Sequence, residues 1–376
     1  MAFPAPRSAY IHVPFCVHRC GYCNFAVVAG RDDLVGPYLE ALETELAGSE
    51  QPREVDTLYL GGGTPTFLAV EQLSQLCQLV LKWHPLAAGY EWTVEANPGD
   101  LDAKRLDVLA SFGVNRISLG AQSFRSEKLN LLERDHDRAD ILCAVDLARS
   151  AGMRVSLDLI FAAPDEELDQ WVADLQQAIA LQPEHISTYG LTFEQGTTFW
   201  NRLRKKELVS APEELEREMY LAAIDRLEAA GFRHYEISNF AQPGQLSRHN
   251  EVYWSGDGYF AAGPGAARYV DGIRETNHRS TSAYLKRVLR GESPVVERER
   301  LDDEQRAREH LVFGLRRLIG VDRVAFFHRT GLEIEALAGK QIAQFIELGL
   351  LENCGRRIRL TRAGLLVSDS LSPELL

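Results

Sequence analysis

Residues 10–23 read Tyr-Ile-His-Val-Pro-Phe-Cys-Val-His-Arg-Cys-Gly-Tyr-Cys, an apolar, strand-like run that leads directly into three closely spaced cysteines. Cys16, Cys20 and Cys23 follow a C-x3-C-x2-C spacing, which lets one loop surround one metal centre. Thiolates are soft ligands that favour iron–sulfur clusters, zinc or Cu(I). No fourth cysteine follows nearby, so three protein ligands would leave one iron of a four-iron cluster open. A catalytic centre needs such an open position, and we predict an iron–sulfur cluster here.

Two alternatives are a structural zinc loop and three incidental thiols. A structural zinc site has four closed ligands, usually in two C-x2-4-C or H-x3-5-H pairs. The sequence offers no second pair, because Cys77, Cys143 and Cys354 each occur singly. We interpret these three as small buried hydrophobes.

The cysteine spacing, with an aromatic residue before the third cysteine, resembles the radical S-adenosylmethionine (SAM) superfamily. In that superfamily the open iron of a [4Fe-4S] cluster binds SAM, and an electron from the cluster cleaves SAM to a 5′-deoxyadenosyl radical. Two further sequence motifs, Gly-Gly-Gly-Thr-Pro-Thr at 61–66 and His-Asn-Glu-Val-Tyr-Trp at 249–254, narrow the resemblance to one family within the superfamily. With residues 10–16 they resemble the oxygen-independent coproporphyrinogen III oxidase-like family, and most closely its haem chaperone branch.

Length and composition are those of an ordinary globular protein. The chain has 376 residues, of which 45% are hydrophobic and 25% charged, enough for one large and one smaller domain. No run has the length of a membrane span and no signal pattern is present, so we expect a cytoplasmic protein. The formal net charge of −13 argues against binding to nucleic acid or anionic lipid. Membrane contact is therefore expected only at the periphery, through a partner.

Up to about Gly190, short β-branched runs alternate with amphipathic helical ones, which predicts βαβ units and a parallel sheet. The family resemblance implies an α/β fold in which these units form a partial (β/α)6 TIM-like barrel. Helices are predicted at 35–47, at 101–112 behind an Asp100 cap, and at 168–181. The predicted strands are Ala9–Pro14, Thr57–Leu60, Trp92–Ala96, Arg116–Leu119, Val155–Phe161 and His185–Tyr189.

The chain is expected to divide into a radical SAM barrel (1–235), a loop-rich extension (236–293) and a C-terminal helical, winged-helix-like module (294–376). Within the extension, the Gly-rich stretch 240–277 shows little periodicity, and loops of that size are usually functional. The module is predicted to contain helices at 302–318, 321–328 and 341–348, a hairpin at 351–360 and a last helix at 361–368. Its four arginines between 356 and 362 are expected to be solvated or to contact a partner.

Several candidate binding groups fall where predicted strands end, which is where a barrel of this type carries its site. The glycines at 61–63 allow a backbone to approach a ligand, although a tight strand-to-helix turn is the alternative. Glu95 could accept from the ribose or ammonium of SAM, or could simply cap a helix or form a salt bridge. The resemblance implies SAM contacts at Tyr10, Tyr22, Gly62, Gly63, Thr64, Glu95, Gln122, Arg134, Asp158, Thr192 and Ala267.

The second distinctive word places His249 four residues before Tyr253 and five before Trp254. Imidazole is a common axial haem ligand, and the two aromatic side chains could form a wall for a porphyrin. The resemblance therefore suggests that His249 contacts haem. The alternative is a loop anchor in which His249 hydrogen-bonds the backbone.

Three departures from the family bear on function. The true oxidases carry a further cysteine where this chain has Phe25, and a longer N-terminal segment than the nine residues before Tyr10. Both features favour the chaperone branch. Relatives often have a histidine at the end of a Gly-x-Gly-Ala-His word, where this chain has Ala267, and that argues against a haem role for this loop.

We therefore expect a radical SAM, [4Fe-4S] haem chaperone that binds haem and transfers it to haem-dependent acceptor proteins, with a separate electron donor. The first alternative is an oxygen-independent coproporphyrinogen III oxidase, which would decarboxylate this porphyrinogen to protoporphyrinogen IX. The second alternative is a zinc-stabilised interaction protein.

Overall fold

A computed structural model of the chain describes residues 4–376, which contain one large sheet and three small ones. The strands are β1 (Ser8–Val13), β2 (Phe15–Cys16), β3 (Val28–Ala29), β4 (Val55–Gly62), β5 (Leu86–Ala96), β6 (Arg116–Gln122), β7 (Arg154–Phe161), β8 (His185–Gly190), β9 (Arg233–Glu236), β10 (Asn239–Ala241), β11 (Phe260–Ala262), β12 (Ala267–Val270), β13 (Ile273–Asn277), β14 (Val295–Arg300), β15 (Val321–Asp322), β16 (Leu351–Asn353) and β17 (Arg357–Leu360). The α-helices are α1 (Val35–Ala47), α2 (Val70–Trp83), α3 (Ala103–Phe112), α4 (Ser126–Leu131), α5 (Arg138–Ser150), α6 (Leu168–Ala180), α7 (Thr198–Arg204), α8 (Glu213–Ala229), α9 (Arg248–Trp254), α10 (Thr281–Val288), α11 (Asp303–Arg316), α12 (Arg323–Thr330), α13 (Ile334–Glu347), α14 (Arg362–Leu365) and α15 (Ser368–Leu375).

The large sheet has the strand order β11-β1-β4-β5-β6-β7-β8-β10-β9. Strands β1 and β4 to β8 pair in parallel, with helices in the connections between them. These helices bury apolar stripes against the sheet, as α2 does with Leu73, Leu76 and Val80. Because β1 and β4 to β8 supply six parallel strands, the expected α/β partial barrel is confirmed.

One predicted helix start was wrong. The prediction places the helix start at residue 101, behind an Asp100 cap. Instead, the chain forms a 3-10 turn at Pro98–Asp100, and α3 begins at Ala103. Its N-cap is Asp102, whose carboxylate accepts from the backbone nitrogen of Arg105 at 2.8 Å. Proline at 98 fixes the turn, so the first free carboxylate that can cap the helix is the one at position 102.

The stretch expected to be loop-rich contains regular structure. Strand β11 adds to the edge of the large sheet beside β1, and β12 and β13 form an antiparallel pair that β14 extends. His249 lies in the helix α9 rather than in a loop. Short elements of three to seven residues leave too little periodicity for a sequence pattern to reveal them.

The C-terminal module consists of α11 to α15 and the three-stranded sheet β15-β17-β16. The predicted hairpin at 351–360 is confirmed, while the predicted helix at 321–328 begins at Arg323 because Asp322 caps it. The predicted last helix is two helices, α14 and α15. Each arginine of the basic stretch pairs with a carboxylate: Arg356 and Arg357 with Asp322, Arg359 with Glu352, and Arg362 with Asp225. Over residues 4–376, helices long and apolar enough for a membrane crossing are absent.

Candidate functional site

A cavity of about 1700 Å³ opens where the parallel strands of the large sheet end. Every residue proposed from the sequence to bind the cluster or SAM lines it, and so does Tyr253, whereas the proposed haem contacts His249 and Trp254 do not. The C-terminal module supplies part of its wall through residues 365–370. The sequence thus predicted one common site, although it did not predict the contribution of the module.

The three cysteines lie on a loop that is closed at its base and held from the side. Strands β2 and β3 pair at its base, and the backbone nitrogen of Cys23 donates to the oxygen of Cys20 at 3.0 Å. The oxygen of Gly21 accepts from the backbone nitrogen of Phe199 at 2.8 Å. A β-carbon on Gly21 would lie 2.6 Å from the Phe199 ring, so only glycine fits there without a shift. This packing fixes the loop at the mouth of the cavity.

Two of the thiols accept hydrogen bonds from residues proposed for the SAM site. Thr64 Oγ1 lies 3.7 Å from Cys16 Sγ, and Arg134 Nη1 lies 3.4 Å from Cys20 Sγ. Burial raises the pKa of Cys16 to about 12 and also raises the pKa of Cys23. The thiols of Cys16 and Cys23 are therefore protonated until a bound metal displaces the proton, as metals do when they coordinate sulfur.

The arrangement of these sulfurs bears on the choice between a cluster and zinc. Within residues 4–376, side chains of His, Cys, Asp and Glu nowhere gather in groups of three or more that could hold a metal ion. A single zinc ion needs its sulfurs about 2.3 Å from one point, whereas the irons of a cluster spread its ligands further apart. A structural zinc site takes four protein ligands, whereas three cysteines are the set that leaves one iron of a [4Fe-4S] cluster open.

The glycine loop after β4 is attached directly to the cysteine loop. The nitrogens of Gly63 and Thr64 donate to the oxygens of Val13 and Phe15 at 2.8 and 2.7 Å. A β-carbon on Gly63 would lie 2.6 Å from the Phe15 oxygen, and Gly62 has a φ of +105°. The glycines are therefore required by the close approach of two loops of the protein itself, before any ligand is considered.

Glu95 is a half-buried carboxylate that bonds directly to this loop. Its oxygens accept from the Tyr59 hydroxyl at 2.8 Å and from the Gly62 nitrogen at 2.9 Å. Burial raises the pKa of Glu95 to about 7. The carboxylate is therefore poised between its two protonation states at neutral pH, and it neither caps a helix nor forms a salt bridge.

Arg134 and Gln122 lie on neighbouring turns beside the cysteine loop. Arg134 Nη2 donates to the Gly120 oxygen at 3.0 Å and to the Asn97 side chain, which aims the guanidinium across the cavity. Gln122 has a φ of +63°, an uncommon conformation for a residue with a side chain. Such strain persists only where surrounding contacts impose it.

A buried ion cluster imposes that conformation. Asp174 on α6 accepts from Ser123 Oγ at 2.6 Å and from the Phe124 nitrogen at 2.8 Å, directly after Gln122. Lys128 Nζ pairs with Asp174 at 3.3 Å and with Glu166 at 2.5 Å. The turn that follows β6 is thus held from behind the sheet, outside the cavity.

The interior of the barrel below these residues is hollow. The cavity is lined there by Thr93, Ser118, Ser156 and Ser187, on four neighbouring strands. Closed barrels of this type usually fill these positions with bulky branched side chains. Asp158 accepts from Ser118 Oγ at 3.2 Å, and burial raises the pKa of this carboxyl. The small residues leave room for ligands down to the floor of the barrel.

His249 closes that floor and does not reach the cavity. It is only 2% exposed, and its ring is held by Thr57 at Nδ1 (2.9 Å) and by Tyr253 at Nε2 (2.8 Å). Its backbone nitrogen donates to Glu91 at 3.2 Å. Both ring nitrogens are engaged, so the structure supports the anchoring alternative, with side-chain partners, and gives no support to a haem contact through His249.

The other face of α9 contacts the C-terminal module. Glu251 accepts from Arg317 at 2.7 and 3.1 Å, and the guanidinium of Arg316 lies 4.8 Å from the centre of the Trp254 ring. Trp254 also packs edge-on against Phe313 of α11. The His-Asn-Glu-Val-Tyr-Trp motif at residues 249–254 therefore connects the barrel floor to the module.

The sequence reasoning missed two site residues. Tyr59 donates to Glu95, and the Asn97 side chain accepts from Arg134 and lies 3.2 Å from His136 Nδ1. Tyr59 is the aromatic residue in an otherwise aliphatic strand end, and Asn97 directly follows the strand that carries Glu95. These positions, at and directly after strand ends, are the sequence features that could have identified the two residues.

Comparison with known proteins gives two family matches. The family described as "Radical SAM superfamily" matches residues 10–178, and "HemN C-terminal domain" matches residues 301–367. The chain is 36% identical over 371 residues to "Heme chaperone HemW" of Bacillus subtilis, covering 97% of this chain and 98% of that protein. It is 36% identical over 378 residues to the protein of the same name in Escherichia coli, covering 97% of each.

Two further likenesses are more distant. "Radical S-adenosyl methionine domain-containing protein 1, mitochondrial" of Bos taurus is 32% identical over 397 residues, covering 99% of this chain and 89% of that protein. Among solved structures, coproporphyrinogen III oxidase (HemN) from Escherichia coli superposes with a TM-score of 0.87 at 23% identity, covering 99% of this chain and 90% of that one. At that identity the likeness concerns the fold.

Proposed function

Since the chain belongs to the radical SAM superfamily and, within it, to the family of the heme chaperone HemW, we propose that it binds haem and passes it to haem-dependent proteins. The observation that carries this proposal is the match to HemW proteins along nearly the whole length of both chains. A partial match would have supported the barrel alone.

The cavity supports the same proposal by its size. Sites for one drug-sized ligand usually measure about 300–1000 Å³, so a cavity of about 1700 Å³ has room for more than one ligand. Cys16, Cys20 and Cys23 would hold the cluster at the mouth, and the bound cluster and SAM would supply one-electron chemistry. The remaining volume reaches the C-terminal module, where we place haem.

The residues of the chain would share the work of binding SAM. Arg134 offers a planar fork for a carboxylate, and Glu95 and Asp158 offer acceptors for hydroxyl or ammonium groups. The backbone at Gly62 and Gly63 brings no side chain between the ligand and the cysteine loop. Tyr10, Tyr22, Gln122, Thr192 and Ala267 would complete the walls.

One experiment tests this proposal against its alternatives. The protein is reconstituted anaerobically with iron and sulfide, then assayed for haem binding from the Soret band, for SAM cleavage and for turnover of coproporphyrinogen III. We expect stoichiometric haem binding and no protoporphyrinogen IX. Robust protoporphyrinogen formation would establish the oxidase instead, and zinc without iron or sulfide would establish the interaction protein.

A cysteine variant provides the control. Cys20→Ala should abolish cluster assembly, whereas Cys143→Ala should retain full iron and sulfide content. Of the three single cysteines interpreted as buried, only Cys77 is; Cys143 on α5 and Cys354 are exposed. A brown, cluster-loaded Cys20→Ala protein would contradict the assignment of the ligands.

A further inference from the structure

Three buried polar atoms at the floor of the barrel have no hydrogen-bond partner among residues 4–376. They are Thr93 Oγ1 on β5, Arg116 Nε on β6 and His185 Nδ1 on β8. Each of these residues is at most 2% exposed, and each lines the cavity. Buried polar groups in folded proteins are nearly always bonded, so three of them in one place indicate a ligand.

The register of the sheet places these side chains next to one another. Thr93 is the partner of Arg116 across β5 and β6, and Ser156 is the partner of His185 across β7 and β8. Arg116 Nη1 donates to Ser156 Oγ at 3.4 Å, which joins the two pairs. We name these four residues the floor site.

The floor site lies below the residues proposed to bind SAM. Arg116 and His185 are the first residues of their strands, whereas the cysteine and glycine loops follow strand ends. On β7, Ser156 precedes Asp158 by two residues, which is about 7 Å along a strand. A group bound at the floor site therefore occupies a separate part of the cavity.

His185 presents a hydrogen-bond donor to this part of the cavity. Burial lowers the pKa of His185 well below its usual value, so the ring is neutral. The Tyr235 hydroxyl lies 2.8 Å from His185 Nε2 and, within residues 4–376, bonds no other acceptor. Its hydrogen therefore points to Nε2, and the ring proton is on Nδ1. By contrast, both ring nitrogens of His12, His136 and His249 have partners within the protein.

Arg116 is fixed by its other nitrogens, and its charge is offset. Nη2 donates to Glu91 at 3.1 Å and to two backbone oxygens of the loop after β10 at 3.0 and 3.3 Å. Arg154 Nη1 lies 4.0 Å from the same carboxylate, and Glu184 is a second acid that interacts with Arg154. Two guanidinium groups thus face two carboxylates, so the floor site recognises a ligand through directed hydrogen bonds rather than through a large net charge.

From this arrangement we propose that the floor site binds a carboxylate group. Arg116 Nε and His185 Nδ1 can only donate, and the Thr93 hydroxyl can donate as well. An ionised carboxylate only accepts, its two oxygens offer about four acceptor positions, and its charge strengthens each bond. Two compounds carry this group: haem, whose propionate arms would enter the barrel from the module side of the same cavity, and a free small carboxylic acid. The inference rests on the proposed function only for the first of these sources.

Sodium propionate is the probe for the carboxylate. The full-length, anaerobically reconstituted protein is titrated with it by isothermal titration calorimetry, and with propionamide, which has nearly the same shape and no charge. We expect a dissociation constant on the order of 1 mM for propionate, as suits a ligand of few heavy atoms, and binding of propionamide that is roughly tenfold weaker or more. Equal binding of the two compounds, or no binding of propionate, would overturn the proposal and would leave ordered water as the partner of these donors.

Thr93→Val and His185→Gln each remove one donor from the floor site. Valine has the shape of threonine, and the amide oxygen of glutamine can still accept from the Tyr235 hydroxyl. Each substitution should weaken propionate binding about fivefold, as expected for the loss of one hydrogen bond. Should His185→Gln fail to fold, Thr93→Val decides the matter alone.

Thr281→Val is the matched control. Thr281 is also 2% exposed and its hydroxyl also has no partner within residues 4–376, but it does not line the cavity. This variant should bind propionate as the unsubstituted protein does. Equal propionate affinities of Thr93→Val and Thr281→Val would exclude the floor site.

Haem and its dimethyl ester, in which both propionates are blocked, separate the two sources of the carboxylate. If haem supplies it, propionate competes with haem, and both the ester and Thr93→Val lower the affinity. If a free acid supplies it, propionate binds while haem and its ester bind alike. A protein that binds propionate but no haem would refute the proposed function and keep the floor site. A protein that binds haem but no propionate would refute the floor site alone.

Discussion

Glu95 shows how one residue sets the pH response of the candidate site. Its half-buried carboxylate lies on the cavity wall and accepts from Tyr59 and from the backbone of Gly62. Because burial raises the pKa of Glu95 to about 7, small changes of pH near neutrality change its charge.

We predict that SAM affinity rises with pH around neutrality. At pH 6 only about a tenth of a group with a pKa of about 7 is ionised, so affinity should be about tenfold lower than at pH 8. Glu95→Gln should remove this dependence and weaken binding by roughly 10- to 100-fold at pH 8, since hydrogen bonds to a charged acceptor contribute about 1.5–3 kcal/mol. Isothermal titration calorimetry of the anaerobic holoprotein measures both effects. A pH-independent affinity in the unsubstituted protein would exclude Glu95 from the SAM site, and Glu127→Gln, on the exposed face of α4, is the control.

The same residue affects the free energy of unfolding in the opposite sense, because its contribution to stability falls as pH rises. The pKa of Glu95 is raised on folding from 4.5 to about 7, so its favourable contribution is complete below 4.5 and is lost as pH rises to 7.

At the scale of single elements, the glycine loop and the cysteine loop act as one unit, because two backbone hydrogen bonds join them. The pattern of residues predicted both loops at strand ends. It could not predict that glycine at 63 is required by Phe15, since a close approach between two loops depends on how their strands are offset in the sheet.

We predict that Gly63→Ala disrupts the metal site from a distance. The new β-carbon would meet the backbone oxygens of Phe15 and Val13 at 2.6 and 2.7 Å, and backbone cannot move aside as a flexible side chain can. The free energy of unfolding should fall by about 1–3 kcal/mol, and reconstituted iron content should fall with it. Gly36→Ala, in open space on α1, should be neutral or stabilise by up to about 1 kcal/mol. Urea unfolding and iron analysis of the two variants decide the matter, and full iron content in Gly63→Ala would refute the coupling.

The turn after β6 gives a second prediction at this scale. Asp174→Asn removes the charge that faces Lys128 and weakens the acceptor for Ser123, so the strained Gln122 should relax. We expect SAM to bind more weakly while iron content is retained, with a loss of stability of about 2 kcal/mol. Asp169→Asn, exposed on the same helix, should leave SAM affinity unchanged. Calorimetry on both variants is the measurement, and equal affinities would show that the ion cluster serves only the fold.

Across the whole molecule, the parallel strands and the helices of the barrel followed from periodicity, and so did the gathering of Glu95, Gln122 and Asp158 at one edge. The extension between the barrel and the module did not, because its strands are only three to five residues long and two of them, β10 and β11, pair with the distant strands β8 and β1. The wall that the module gives to the cavity was equally hidden, since contacts across domains leave no local pattern.

A prediction at this scale concerns the contact between α9 and the module. Glu251→Gln should weaken its two hydrogen bonds to Arg317 and loosen the module, raising hydrogen exchange in α11 and lowering haem affinity while SAM affinity stays constant. Glu304→Gln, which breaks an exposed pair on α11, should change neither. Parallel losses of SAM and haem binding in Glu251→Gln would point to general unfolding rather than to the module.

The position of His249 changes how mutational data on this family should be interpreted. A variant that replaces this buried imidazole removes the ring that holds the hydroxyls of Thr57 and Tyr253 and leaves a void beside them, while the backbone bond to Glu91 is kept. A variant that unfolds in part for this reason would lose haem without having lost a ligand to iron. Haem spectra of His249 variants should therefore be interpreted together with a measurement of folding. We expect that a His249 variant that stays folded keeps its haem spectrum.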